Sequence, residues 1–261
     1  MPSTGAAASH QRLLQRLGAI TLEVAFVLAL FWGHEILRGL AAGTPAAATA
    51  NARTVIALER AIGLYWEPQV QAWVLAHPAL IGALNWIYSY VHLPGTLLFG
   101  LGVLLRRPHR FPEVRNVYIA LLAVAIPVYR LFPLAPPRFF PHLGFVDTVK
   151  LFSAIDYDDQ PESLLYNPFA AMPSMHVAFA LFVALGVIRL SRSRLRWLAL
   201  GYWLLVVLVV VATGNHYIVD AVAGSLLTVG AYALVPRVAA LLPRPSLPRW
   251  RRVDADAGFA D

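Results

Sequence analysis

The sequence predicts an all-α integral membrane protein, a six-transmembrane-helix bundle with one further helix lying at the outer interface. Three observations predict it. Of the 261 residues, 59% are hydrophobic and only 13% are charged, where an ordinary soluble domain carries about 25% charged residues. Six apolar stretches have roughly the 20 residues that a ~30 Å hydrocarbon core requires. The basic residues are segregated into alternate loops, the pattern that orients membrane helices. There is no cysteine, which excludes a disulfide scaffold, thiolate-ligated zinc and a thiol nucleophile.

The apolar stretches cover residues 19–40, 79–105, 117–132, 175–190, 196–213 and 218–242. The first resembles a secretory leader, because Arg12 and Arg16 precede it and Ala46 and Ala48 follow, but its length and the acidic Glu23 inside it read as a retained span. The fourth is the shortest and begins after Pro-Ser, which suits a helix enclosed by others. Residues 1–18 read as an N-terminal tail, 19–242 as a single membrane domain, and 243–261 as a disordered C-terminal tail.

The tails and the loops after the second and fourth spans hold 15 basic residues against four acidic ones, whereas the opposite loops hold six basic against nine acidic, including Asp156, Asp158, Asp159 and Glu162. Both termini are therefore expected in the cytoplasm, with the protein in the plasma membrane. The net charge of +7 would suggest nucleic acid for a soluble chain; distributed this way it is a topogenic signal, and no nucleic-acid partner is expected. Of the two long outer loops, 41–78 contains an apolar helical pattern over 54–64 followed by Tyr65, Trp66 and Trp73, as in a helix at headgroup depth. The other, 133–173, is rich in proline, aspartate and aromatic residues, and a loop of that length usually carries function.

Three polar clusters then fall on the outer side: Tyr-Arg-Leu-Phe-Pro-Leu-Ala-Pro-Pro-Arg (129–138), Met-Pro-Ser-Met-His (172–176) and Gly-Asn-His-Tyr-Ile-Val-Asp (214–220). His216 and Asp220 are four apart, so on a helix they share a face. A carboxylate there holds one imidazole nitrogen and leaves the other as nucleophile or base; a helix-end polar pair, or two metal ligands, are the other readings. Ser174 is placed to cap the fourth span, with His176 in its first turn, where free N–H groups and the helix dipole attract phosphate; the other reading is that Pro-Ser-x-His merely starts a helix. Arg138, stiffened by two prolines, and Arg130 supply guanidinium groups for phosphate oxygens, or snorkel to lipid headgroups.

Asn85, Tyr88 and His92, at i, i+3 and i+7 of the second span, have two readings: binding of an acceptor hydroxyl, or hydrogen bonding between helices. Glu23, His34 and Glu35 in the first span must face protein or water.

In this order the clusters resemble the type 2 phosphatidic acid phosphatase superfamily, whose signature is Lys-x6-Arg-Pro, Pro-Ser-Gly-His and Ser-Arg-x5-His-x3-Asp. The resemblance spans about residues 129–224 and implies the six-helix phosphatidic acid phosphatase/haloperoxidase type of membrane fold. It also implies a metal-free and cofactor-free phosphoesterase site, with His216 as nucleophile, Asp220 as its orienting carboxylate, His176 as general acid and Arg138 as phosphate ligand. The departures are Val209 and Val210 at the Ser-Arg positions, Met175 for the glycine, and Leu131 for the lysine, with Arg130 one residue away.

Within that superfamily, Met175, Tyr217 and the absent Ser-Arg look like the inositol phosphorylceramide synthase and sphingomyelin synthase branch, as does Ala-Leu-Glu-Arg-Ala-Ile-Gly (57–63). The implied substrate is a lipid phosphate, with a polyol such as inositol or a lipid alcohol as acceptor. The alternatives are hydrolysis of phosphatidate or a polyprenyl phosphate or diphosphate, and a non-catalytic lipid-binding or transport protein. The vanadate-dependent haloperoxidases resemble the superfamily in their anion site, but six spans argue against that activity.

Overall fold

The computed structural model describes residues 4–152 and 166–241. Ten α-helices follow one another there: α1 (Thr4–Leu40), α2 (Pro45–Ala61), α3 (Glu67–Leu75), α4 (Pro78–Tyr90), α5 (His92–Arg106), α6 (Phe111–Leu131), α7 (Thr148–Phe152), α8 (Met175–Leu190), α9 (Leu198–Ala212) and α10 (Ile218–Leu241). Among the described residues there is no strand, only an isolated parallel bridge between Leu134 and Ala170. Asp156, Asp158, Asp159, Glu162 and the 243–261 tail lie outside the described residues.

Four helical segments are long and apolar enough to cross a bilayer: Leu13–Leu40, Phe111–Leu131, Arg194–Ala212 and Ile218–Leu241. Leu22, Leu98, Leu204, Leu226 and Leu234 stand exposed on helix flanks, where in an integral membrane protein they meet lipid rather than water. α5 and α8 are apolar but shorter, and α3 and α4 form a pair bent by 118° that passes the same test jointly.

The stretch 79–105, expected as one span, is divided at Val91 into α4 and α5. The reason lies at Pro94, which has no N–H for the Tyr90 carbonyl and whose ring crowds it. α1 also begins well before the expected membrane entry at residue 19, because the helix already runs from Thr4.

At the centre stands α8, packed against α5, α6, α9 and α10. Val177 to Phe182 are all buried, which is the behaviour of a helix apolar all round. The α8–α10 seam has a clear register. Ser174 N–H donates to Asp220 O at 3.1 Å, Thr228 Oγ1 to Ala178 O at 3.0 Å, and Tyr232 Oη to Phe182 O at 2.8 Å. Steps of four on one helix thus meet steps of four on the other.

Gly224 completes that series, and a Cβ built there would lie 2.3 Å from Ser174 O. The seam therefore carries the start of α10 to the start of α8. α1 joins from outside through Glu23, whose carboxylate meets Arg115 of α6 at 2.6 Å.

Gly224→Ala should destabilise the protein by about 1–3 kcal/mol through overpacking of the seam. Gly230→Ala, with nothing within 4 Å of its Cβ position, should not. Thermal unfolding of both variants in detergent checks this, and equal midpoints would show that the seam yields.

Candidate functional site

The turn between α9 and α10 is built from α9's last carbonyls. Thr213 Oγ1 donates back to Val209 O at 2.7 Å, and the N–H groups of Asn215 and His216 both reach Val210 O at 3.1 Å. Gly214 makes the reversal at φ 71°, in the left-handed region. A side chain there would also collide with Gln71, whose Nε2 lies 2.6 Å from the Cβ position. Gln71 is itself held, donating to Val146 O at 3.0 Å and accepting Val146 N–H at 2.9 Å.

His216 precedes α10, so the four-residue spacing operates across a helix start and not along one. Asp220 Oδ2 reaches back to His216 Nδ1 at 3.1 Å and accepts Tyr217 N–H at 3.0 Å. The second bond is the acidic half of a capping box. The next two amides are taken by carboxylates from outside the helix: Glu67 Oε1 accepts Ile218 N–H at 2.9 Å and Glu59 Oε1 accepts Val219 N–H at 2.8 Å. Tyr217 is buried beside them, and its phenol is pushed well above its ordinary range, first by burial and then by the Asp220 charge.

Ser174 caps α8, its Oγ accepting Val177 N–H at 3.4 Å, and His176 follows in the first turn. The His176 ring lies 4.3 Å from Tyr88 and 3.9 Å from His92, centroid to centroid, and 5.8 Å from His216 in an edge-on arrangement. Arg138 is fixed to the same turn: its N–H donates to Gly214 O at 2.9 Å, its guanidinium donates to Asn215 Oδ1, and Nε lies 3.3 Å from Asp147.

These groups surround a cavity of about 270 Å³ whose wall includes His176, His216, Asn215, Arg138, Tyr88 and His92. Asp220 and Ser174 stand behind that wall, fully buried. Arg130 is exposed at the end of α6 and is not part of the lining. Asn85 is also not brought to the cavity. Its Nδ2 donates to Ile81 O at 3.0 Å and Thr148 O at 3.2 Å, and Thr148 Oγ1 lies 3.0 Å from its Oδ1, so it ties α4 to α7.

Sequence reasoning missed Arg38 and left His34 and Glu35 without a role. All three line the cavity, and Arg38 pairs with Glu35 at 2.6 Å. Their spacing along α1 was the available signal. Val209 and Val210, at the positions of the absent Ser-Arg pair, are buried; Val210 packs with Val177, Val206 and Ala221 in apolar contact. Among the described residues no three His, Asp or Glu side chains are grouped to hold a metal ion.

A family model described as PAP2 superfamily matches residues 53–234. The chain belongs to the PAP2 superfamily. No curated protein and no solved structure matches it. The matched region contains Arg138, His176, His216 and Asp220 and excludes α1, so the PAP2 core supplies the histidines while Arg38 and Glu35 come from a helix beyond the match.

Asp220→Ala should leave Tyr217 N–H and the His216 ring without their buried acceptor. The expected loss of stability is about 1–3 kcal/mol, read as a lowered unfolding midpoint in detergent. An unchanged midpoint would mean that water or Glu67 replaces the carboxylate.

Proposed function

We propose that the protein is a membrane lipid phosphatase or phosphotransferase acting on a lipid-borne phosphate through a phosphohistidine at His216. The observation that carries this reading is the Asp220-bonded His216 facing His176 across one polar cavity, with Arg138 held beside them. PAP2 membership supports the phosphatase-type chemistry.

Asp220 occupies Nδ1, which leaves Nε2 as the attacking atom. In the first step the Nε2–P bond forms as the P–O bond to the leaving group breaks, and His176 gives its proton to the departing oxygen. In the second, an oxygen of water or an alcohol bonds to phosphorus, the N–P bond breaks, and the proton of that oxygen passes to His176. Arg138 and Arg38 neutralise the equatorial oxygens, assisted by N–H groups at the start of α8. No step calls on a metal ion.

Water as acceptor makes a hydrolase, and an alcohol makes a transferase of the inositol phosphorylceramide or sphingomyelin synthase kind. One observation favours an alcohol. Ser89 Oγ belongs to a cavity-lining residue and is buried without a hydrogen-bond partner among the described residues, as a wall made to receive a hydroxyl group would be. Tyr88 and His92, which line the same cavity, are the acceptor candidates.

Six crossings follow if α4–α5 counts as one span and α8 as another. On this reading both termini lie in the cytoplasm of a plasma-membrane protein and the cavity on the extracytoplasmic side, which the segregation of basic residues into alternate loops supports. A site sunk between membrane helices suits a substrate delivered by the bilayer.

His216→Ala should abolish turnover of a labelled phospholipid by the purified protein, and wild-type turnover should survive EDTA. Product analysis with and without inositol separates free phosphate from a new phosphodiester. Full activity of the variant would overturn the assignment, and loss of wild-type activity in EDTA the metal-free chemistry.

The Arg38–Glu35 pair makes a second test with opposite signs. Arg38→Ala should weaken inhibition by orthovanadate roughly tenfold to hundredfold, the worth of a charge-assisted hydrogen bond. Glu35→Gln should strengthen it, because an anion is removed from the phosphate's surroundings. Weakening by both would reduce the pair to a structural ion pair.

A further inference from the structure

Glu59 and Glu67 are fully buried, lie on different helices and sit next to each other. Each uses one oxygen on α10: Glu59 Oε1 for Val219 N–H at 2.8 Å, Glu67 Oε1 for Ile218 N–H at 2.9 Å. The second oxygen of each, Oε2 in both cases, is buried and meets no N–H or O–H donor among the described residues. Two ionised carboxylates cannot stand side by side out of water with unsatisfied lone pairs; a single proton between them removes one charge and satisfies both oxygens.

We propose that Glu59 and Glu67 form a positioning pair for His216, holding one proton between their carboxyls and fixing the first turn of α10 with the two remaining acceptor oxygens. The proposal rests on His216 being the nucleophile. Through Asp220, which caps the same turn, any shift of Ile218 and Val219 becomes a rotation of the imidazole. The proton resides on Glu59, whose Oε2–H donates to Glu67 Oε2.

Burial, then the hydrogen bond with Glu67, pushes Glu59 up to about 9 against the pull of Val219 N–H. Arg60, Tyr65, Tyr217 and Asp220 are the other charged or titratable groups around the pair. Arg60 stacks on Tyr65 at 4.7 Å. A carboxyl raised by the fold keeps its proton at neutral pH and loses it as pH rises through that value, so the pair's support for His216 is present at neutral pH and lost on the alkaline side.

The test compares Glu59→Gln with Glu59→Ala in the full-length protein, using phospholipid turnover across pH. The glutamine mimics the protonated carboxyl, accepting Val219 N–H and donating to Glu67. It should keep kcat within a few-fold of wild type and lack the alkaline decline. Alanine frees Val219 N–H and should lower kcat about 100-fold, the scale of a misplaced catalytic group, with KM nearly unchanged.

Infrared spectra provide a reading independent of turnover: the C=O stretch of a buried protonated carboxylic acid should be present in wild type and in His216→Ala, and absent in Glu59→Gln. A glutamine variant as damaged as alanine, an alkaline limb that it does not shift, or a missing carboxylic-acid band would overturn the proposal. Turnover that survives His216→Ala, with the band intact, would instead overturn the reading of His216.

Discussion

The structure depends on how the first turn of α10 is satisfied. A helix begins with amides that have no partner inside it, and this one begins in the protein interior, where water is scarce. Three carboxylates from three helices take three successive N–H groups, Asp220 on Tyr217, Glu67 on Ile218 and Glu59 on Val219. The positive end of the helix dipole favours that anionic company. Since two of the acids come from α2 and α3, those helices cannot be placed independently of α10. The His216 ring then inherits its orientation from a turn that is anchored from several directions.

A second constraint is the supply of positive charge to the cavity, which the proposed phosphate chemistry requires. At positions 209 and 210 valine side chains are sealed into apolar packing, so α9 brings no cation. The structure compensates from two sides. Arg138 comes from the proline-stiffened loop, tied to Asn215 and Asp147, and Arg38 comes from α1, tied to Glu35. Each guanidinium is held by an acid and presents its N–H groups in a rigid fork of the geometry that matches an oxyanion. A site that is nearly balanced before binding avoids the cost of isolated buried charge.

These arrangements explain what could be read from the chain alone. His216 and Asp220, and the Ser174 cap before His176, are short-range patterns, and the local chain determines their geometry. The break at Val91 was also present in the sequence, in Pro94, but apolar composition obscured it; Tyr88 and His92 still share the cavity wall across it, while Asn85, in the same helix as Tyr88, is taken up by α7. Arg130 is exposed at the end of α6, in keeping with the headgroup-facing one of its two readings, and one residue of helical phase separates it from Tyr129 on the cavity wall. Glu59 and Glu67 find their partners 160 and 151 residues away. No periodicity announces such a contact; only the completed packing makes two isolated acids into caps.

The same division suggests how the site separates chemistry from selectivity. The histidines are locked by the α8–α10 seam, where Ser174, Ala178 and Phe182 meet Asp220, Thr228 and Tyr232 at hydrogen-bond distance. Rotating either helix would break all three bonds together, so that part of the site resists change. α1 lies outside the PAP2 match and has only 6% of its membrane window buried. It meets α5 and α6, is tied to α6 through Glu23 and Arg115, and contributes His34, Glu35 and Arg38 to the wall of the cavity. A wall contributed from outside that seam can change composition without rotating His216, the nucleophile of the proposed reaction. On the proposed lipid-phosphate reading, the α1 face is where headgroups would be discriminated, while the reaction would belong to the buried seam.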